Sequence, residues 1–104
     1  MQRGEVWWAQ LPAPAGKRPV LLLTRDSVIN SRSQVTVAAI TQRARHIASE
    51  VSLTQADGLP KPCVVSADVI QTISKNDLLS KVTRLSRARL DDIAHAITFA
   101  LALD

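Results

Sequence analysis

The chain has 104 residues, of which 46% are hydrophobic and 21% charged, and its net charge is +4. These values predict one folded domain over residues 1–104 and argue against a disordered chain. Aromatic residues make up only 3%, which argues against a platform of regularly spaced rings for stacking RNA bases, whereas the basic charge is compatible with a polyanionic partner.

The first 48 residues predict three strands and two contrasting loops. Dense β-forming residues or short apolar runs indicate strands over residues 5–11, 20–23 and 35–40. The run 20–23 contains no polar residue, which is typical of a strand buried on both faces. A loop rich in Pro and Gly spans 12–17, a short helical turn is predicted at 26–29, and a basic loop spans 41–48.

The second half of the chain predicts further short strands followed by a helix. The strands are indicated at residues 50–53, 63–65, 69–73 and 81–85. After Ser86, a suitable N-cap, the apolar residues recur with a helical period, and the predicted buried face carries Leu90, Ile93, Ala94, Ile97 and Leu101. Five to seven strands ahead of one helix predict an α+β domain with a curled antiparallel sheet.

Several classes of site are not indicated. Cys63 is the only cysteine, so we expect no internal disulfide, and its apolar neighbours predict a buried thiol. His46 and His95 have no ligand spacing around them, so we expect neither a metal centre nor, in the absence of a nucleotide-binding motif, a cofactor. No signal peptide or membrane span is apparent, and a cytoplasmic protein without membrane association is expected.

Two polar residues stand where apolar strands meet loops. Arg18 ends the loop rich in Pro and Gly, and Pro19 restrains its backbone to an extended conformation. Thr41 ends the strand 35–40 in a similar way. Polar residues at strand ends beside loops form many functional sites, but ordinary strand termini have the same pattern. Position alone therefore leaves both interpretations open.

The sequence as a whole resembles the MazF/PemK family of toxins. The resemblance is carried by five segments in the family's order, namely residues 3–8, 18–23, 35–41, 66–73 (with Asp68, Gln71 and Ile73) and 78–90. It implies an SH3-like β-barrel of the CcdB/PemK superfamily with a C-terminal helix, forming a homodimer. It also implies an endoribonuclease that cleaves single-stranded or loop RNA sequence-selectively and without a metal ion.

The same resemblance implies a mechanism and partners. The neighbouring 2′-OH attacks the phosphate and leaves a 2′,3′-cyclic phosphate (or its opened 3′-phosphate) and a 5′-OH. Arg18 would stabilise the phosphate charge and Thr41 would hydrogen-bond the phosphate. Further RNA contacts are predicted for Lys17, Thr24, Asp26, Arg43, Arg45, Gln71 and Arg84. Cleavage of messenger or transfer RNA would inhibit translation and growth, and a cognate antitoxin would neutralise the toxin by covering the RNA groove with an acidic tail.

Some details of RNA recognition stay open. The loop 12–17 is short and lacks the acidic residue proposed as general base in some family members, so no residue is assigned as the base. The recognised RNA sequence depends on such loops. Trp7 and Trp8 point to opposite faces of their strand, so one is expected in the core. The other packs at an interface or stacks on a base.

Two alternatives to the nuclease are retained. A toxin on the same barrel can poison a protein such as DNA gyrase without being an enzyme. Such a poison needs exposed C-terminal residues, whereas residues 99–104 are predicted to be packed. A family member that binds RNA or an antitoxin without cleaving RNA is the second alternative. Cleavage of RNA in EDTA distinguishes these cases from the nuclease.

Overall fold

The computed structural model describes residues 1–104 and contains six strands and two helices. In chain order these are β1 (Glu5–Gln10), β2 (Lys17–Leu22), α1 (Asp26–Ile29), β3 (Gln34–Thr41), β4 (Glu50–Leu53), β5 (Cys63–Ser74), β6 (Leu78–Arg84) and α2 (Arg87–Ala100). Two single 3₁₀ turns, Gln55–Asp57 and Lys75–Asp77, precede β5 and β6. Neither helix has the length and apolar character needed to cross a bilayer.

The six strands form one antiparallel sheet in the order β4-β5-β3-β2-β1-β6. The sheet curls, but its edge strands β4 and β6 do not pair with each other. The segment that follows β4 covers part of this opening, and the hydroxyl of Thr83 in β6 donates a hydrogen bond to the carbonyl of Asp57 at 3.3 Å. The predicted α+β domain, with a curled antiparallel sheet and a C-terminal helix, is confirmed.

Strand β5 differs from the sequence prediction, which placed two short strands at 63–65 and 69–73. The structure has one twelve-residue strand that pairs with β3 on both sides of a single interruption. The register is interrupted once, because Ala39 lies opposite Ser66 while its neighbour Ala38 lies opposite Ile70. The three extra residues, 67–69, form a bulge that bends the strand. Asp68 lies in this bulge, and its polar side chain interrupts the apolar pattern, so the sequence predicted two strands where there is one.

Apolar side chains pack on both faces of the sheet. Leu21 of β2 belongs to a cluster of twelve buried residues between the sheet and α2. Its neighbours Val20 and Leu22 point the other way, into a second cluster of eight buried residues that includes Ile29 of α1. This alternation confirms burial on both faces for residues 20–22, as their apolar sequence predicts, whereas the strand itself spans Lys17–Leu22 and not the predicted 20–23.

Helix α2 begins as predicted, but part of its predicted buried face is wrong. The Ser86 hydroxyl accepts a hydrogen bond from the backbone N–H of Arg89 at 3.2 Å, which satisfies a free donor of the first turn. Leu90, Ile93 and Ile97 face the sheet as expected, together with Ala96 and Ala100. Ala94 and Leu101 are exposed. The face of α2 that contacts the sheet is rotated so that Ala96 and Ala100 pack there in their place.

The C-terminal residues are not packed, which corrects a second expectation about this helix. Phe99, Leu101 and Leu103 are 59%, 51% and 68% exposed. Phe99 lies in the last turn of α2, and Leu101 and Leu103 follow the helix, so all three side chains are largely open to solvent. The argument from a packed C-terminus against a protein-binding toxin therefore does not hold.

Gly58 keeps the segment after β4 close to β6. Its φ of +95° disfavours any residue with a side chain, and a Cβ there would lie 2.3 Å from Thr83 Oγ1 and 2.8 Å from Thr83 Cβ. We expect Gly58→Ala to lower the free energy of unfolding by about 2–4 kcal/mol, combining backbone strain with overpacking. Urea denaturation measures this change.

Gly16 provides the matched control for that substitution. It also has a positive φ, +68°, but a Cβ there would meet nothing within 4 Å. Gly16→Ala should therefore cost only the strain, about 1 kcal/mol. Equal losses in the two variants would show that the contact with Thr83 contributes nothing.

Candidate nucleic-acid interface

Arg18 and Thr41 lie on the neighbouring strands β2 and β3, at the same end of the sheet. Strands β2 and β3 pair in a register that sets Val20 opposite Ala39, and continuing it by two residues brings Arg18 opposite Thr41. Residues opposite each other in an antiparallel pair point to the same face. Arg18 is exposed and Thr41 half-buried. The strand ends therefore present a guanidinium and a hydroxyl together.

An open groove of about 980 Å³ runs along this end of the sheet. Its walls come from the β1–β2 hairpin, the end of β3, and the segment between β4 and β5. Four cationic residues line it, and none of its lining residues is Asp or Glu. The cations are Lys17, Arg18, Arg43 and Lys61. A surface of one charge sign in a concave site favours a polyanionic ligand.

Local contacts orient two groups in this groove. The backbone N–H of Arg43 donates a hydrogen bond to Thr41 Oγ1 at 3.2 Å, so the hydroxyl proton of Thr41 is left to donate elsewhere. Lys17 Nζ lies 5.2 Å from the centroid of the half-buried Trp8 ring, within range of a cation–π interaction. Trp8 thus lines the groove, whereas Trp7 packs on the second cluster.

The structure brings together five of the nine residues that were predicted from the sequence for the RNA site. Arg18, Thr41, Lys17, Arg43 and Gln71 line the groove. The other four lie outside it.

Three of those four are held by the structure elsewhere. Thr24 and Asp26 follow the opposite end of β2, where they accept hydrogen bonds from the backbone N–H groups of Thr36 and Arg3. Arg84 lies opposite Glu5, at the start of β1 rather than at the hairpin. Arg45 lies beyond the groove in the basic loop, where its backbone N–H donates to Glu50.

Two groove residues carried no functional prediction. Lys61 lies in a segment that was interpreted from the sequence only as a turn-rich connection. The available signal was its position between Pro60 and Pro62, which restrains the backbone of a cationic residue. Cys63 was predicted as a buried core thiol; it packs against the first cluster but is only half-buried and also lines the groove. Burial raises the pKa of the Cys63 thiol, and the charge of Asp57 raises it further. A thiol in this state is a poor nucleophile at neutral pH.

No three His, Cys, Asp or Glu side chains are grouped as metal ligands. The groove lining includes the guanidinium of Arg18 and the hydroxyl of Thr41. Guanidinium groups bind phosphate oxygens through paired hydrogen bonds. The arrangement is therefore suited to holding a phosphodiester.

The fold and the groove define a small protein with a curled half-barrel sheet, a C-terminal helix and a cationic groove suited to phosphate groups. Residues 2–101 match the family of PemK-like, MazF-like toxins of type II toxin–antitoxin systems, and the chain belongs to this family. The resemblance inferred from the sequence is thereby confirmed.

Known relatives match nearly the whole chain. A Mycobacterium tuberculosis protein named "Probable endoribonuclease MazF2" is 41% identical over 98 residues, which cover 93% of this chain and 94% of that protein. The solved structure of the Mycobacterium tuberculosis toxin MazF-mt6 is 40% identical, covers 96% of this chain and 98% of its own, and superposes with a TM-score of 0.89. An endoribonuclease from a mycobacterial species, solved in complex with its cognate antitoxin, is 25% identical, with coverage of 100% and 97% and a TM-score of 0.89.

Proposed function

We propose that this protein is a toxin endoribonuclease that cleaves RNA in the cationic groove, at Arg18 and Thr41, without a metal ion. The observation that carries the proposal is the presence of these two side chains, from neighbouring strands, in one groove lined by four cations and no acid. Relatives about 40% identical to this chain carry the name endoribonuclease or toxin. Sequence-selective cleavage of messenger or transfer RNA would stop translation and growth.

The proposed reaction is an internal transesterification of RNA. The 2′ oxygen forms a bond to phosphorus and releases its proton, and the bond between phosphorus and the 5′ oxygen breaks as that oxygen takes up a proton. The products are a 2′,3′-cyclic phosphate, which can open to a 3′-phosphate, and a 5′-OH. Arg18 donates hydrogen bonds to the phosphate oxygens as negative charge develops, and Thr41 donates one more.

The groove lining contains no carboxylate and no histidine that would accept the 2′ proton. The proposal therefore assigns no side chain to the general base and places the catalytic effect in charge stabilisation and orientation. Lys17, Arg43 and Gln71 bind flanking phosphates or bases along the same groove. The net charge of +4 adds a general attraction for RNA.

A cognate antitoxin and a second copy of the chain are the proposed protein partners. A mycobacterial relative has been solved with its cognate antitoxin. An extended acidic segment complements a groove lined by cations, so antitoxin and RNA would compete for the same surface. The protein is proposed to act in the cytoplasm, where its RNA substrates are.

One observation keeps a second candidate function under test. Phe99, Leu101 and Leu103 are exposed near the C-terminus, as a toxin that binds a protein target such as DNA gyrase requires. This alternative predicts inhibition of gyrase supercoiling by the purified protein and no cleavage of RNA. The nuclease proposal predicts the reverse.

The decisive experiment incubates the purified protein with mixed messenger and transfer RNA in excess EDTA and maps the new ends. We expect discrete cuts with 5′-OH ends, and an unchanged rate when EDTA is replaced by Mg²⁺ at equal ionic strength. Binding without cuts would identify a family member that only binds RNA. Absence of both binding and cuts, with the protein folded, would reject the proposal and lead to the gyrase assay.

A further inference from the structure

We propose that Arg89 of helix α2 is a positioning residue for the RNA groove. It holds Asp57, and through Asp57 the segment 54–62, so that Lys61 stays in the groove wall as a phosphate contact. This inference rests on the proposed function, since it assigns Lys61 to RNA. Arg89 itself does not line the groove and touches no substrate.

The link begins with an ion pair between the helix and the segment. Arg89 Nε lies 3.0 Å from Asp57 Oδ1, with only 11% of the Asp57 side chain exposed. The other carboxylate oxygen, Asp57 Oδ2, accepts a hydrogen bond from the backbone N–H of Thr54 at 2.8 Å. The bond from Thr54 lowers the pKa of Asp57, and Arg89 lowers it further, outweighing the effect of burial. The carboxylate is thus charged and held from two sides.

The segment between Asp57 and Lys61 is anchored at each step. The Asp57 carbonyl accepts a hydrogen bond from Thr83, and Gly58 is in van der Waals contact with the same threonine. Leu59 is buried in the cluster beneath α2, with 4% of its surface exposed. The Pro60 carbonyl accepts a hydrogen bond from Gln55 Nε2 at 3.1 Å.

The backbone of Lys61 is therefore held in place by the anchored residues that precede it. It lies between Pro60 and Pro62, and a residue before proline is restricted to extended conformations. Its side chain makes no hydrogen bond or ion pair within the chain and lines the same groove as Lys17. A cation that is exposed, unpaired and held in the wall of a cationic groove is suited to one RNA phosphate.

Arg87 provides a matched control on the same helix. It forms an ion pair with Asp91 at 3.3 Å, but its side chain is 90% exposed and its partner lies on α2 itself. Arg87→Ala removes the same charge from the same helix without touching the segment 54–62. Any general effect of net charge on RNA binding should appear equally in both variants.

The test measures binding of an RNA oligonucleotide with a 2′-deoxy nucleotide at the cut site, and cleavage of its all-ribose counterpart, over a range of salt concentrations. We expect Arg89→Ala and Lys61→Ala each to weaken binding about three- to tenfold more than Arg87→Ala. The affinity falls as salt rises, and Arg89→Ala and Lys61→Ala should each make this slope of log affinity against log salt shallower by about 0.7, the value for one single-strand phosphate contact. In cleavage of the all-ribose RNA, KM should rise by the same factor as the loss of binding, while kcat stays within about twofold of the wild-type value.

A variant that combines Arg89→Ala with Lys61→Ala distinguishes positioning of Lys61 from a general effect of Arg89 on stability. If Arg89 acts through Lys61, Arg89→Ala should add little to the loss already caused by Lys61→Ala. Additive losses, or a wild-type salt slope in Arg89→Ala, would overturn the inference. Asp57→Asn, which keeps an oxygen for Thr54 but removes the charge, replaces Arg89→Ala if that variant does not fold.

Failure of this inference is distinguishable from failure of the proposed function. A wild-type protein that binds the oligonucleotide but does not cleave its all-ribose form would contradict the nuclease, while the binding comparison still decides the role of Arg89. A wild-type protein that cleaves, with Lys61→Ala behaving like Arg87→Ala, would overturn the inference and leave the nuclease intact.

Discussion

Replacing Arg18 by alanine is expected to slow RNA cleavage by about 100- to 1000-fold, the range for loss of one transition-state donor. Its guanidinium is exposed and makes no hydrogen bond or ion pair within the chain, so its hydrogen-bonding capacity is left for a ligand. For the same reason the free energy of unfolding should change by less than about 0.5 kcal/mol. Single-turnover cleavage at saturating RNA, together with a urea denaturation curve, measures both quantities.

Two further variants sharpen the Arg18 experiment. Arg18→Lys keeps the charge but loses the planar pair of donors, so its rate should fall between those of the wild type and the alanine variant. Arg32→Ala removes an exposed arginine just before β3, at the opposite end of that strand from Thr41, and should cleave like the wild type. Cleavage that survives in Arg18→Ala would keep the enzyme but reject this site.

The parts of the site that lie on strands were predictable from the sequence. The apolar run 20–22 placed the buried part of β2 in the middle of the sheet, although the strand begins at Lys17 and ends at Leu22, not at the predicted 20 and 23. Once β2 and β3 are assigned as neighbours, Arg18 and Thr41 fall at adjacent strand ends. The resemblance to the toxin family then supplied the chemistry that position alone did not.

The parts on irregular backbone were not predictable. Lys61 reaches the groove because the segment 54–62 folds back against β6, through contacts of Gly58 and Asp57 that no local pattern encodes. The bulge at 67–69 similarly depends on pairing between distant strands. Thr24 and Asp26 lie outside the groove, because residues that follow a strand lie at the end where that strand stops, and β2 stops away from the groove.

The Thr41 hydroxyl is the second group whose loss should have a large effect. Thr41→Val, which keeps the shape and the β-branched side chain, is expected to slow cleavage by about 10- to 100-fold, the value of a neutral hydrogen bond to a charged group. The hydroxyl oxygen already accepts the N–H of Arg43, so its proton is directed away from the backbone and toward a ligand. Single-turnover rates at saturating RNA give this loss without a contribution from binding.

Serine at position 41 separates the hydroxyl from the methyl group. Thr41→Ser keeps both the acceptor for Arg43 and the donor for phosphate, so it should cleave nearly as fast as the wild type. Thr41→Val should retain the fold, because Thr41 is the last residue of β3 and its hydroxyl holds only one exposed backbone N–H. If the serine variant were as slow as the valine variant, the methyl group of Thr41 would be the essential feature, and its role would be packing within the groove rather than donation to the phosphate.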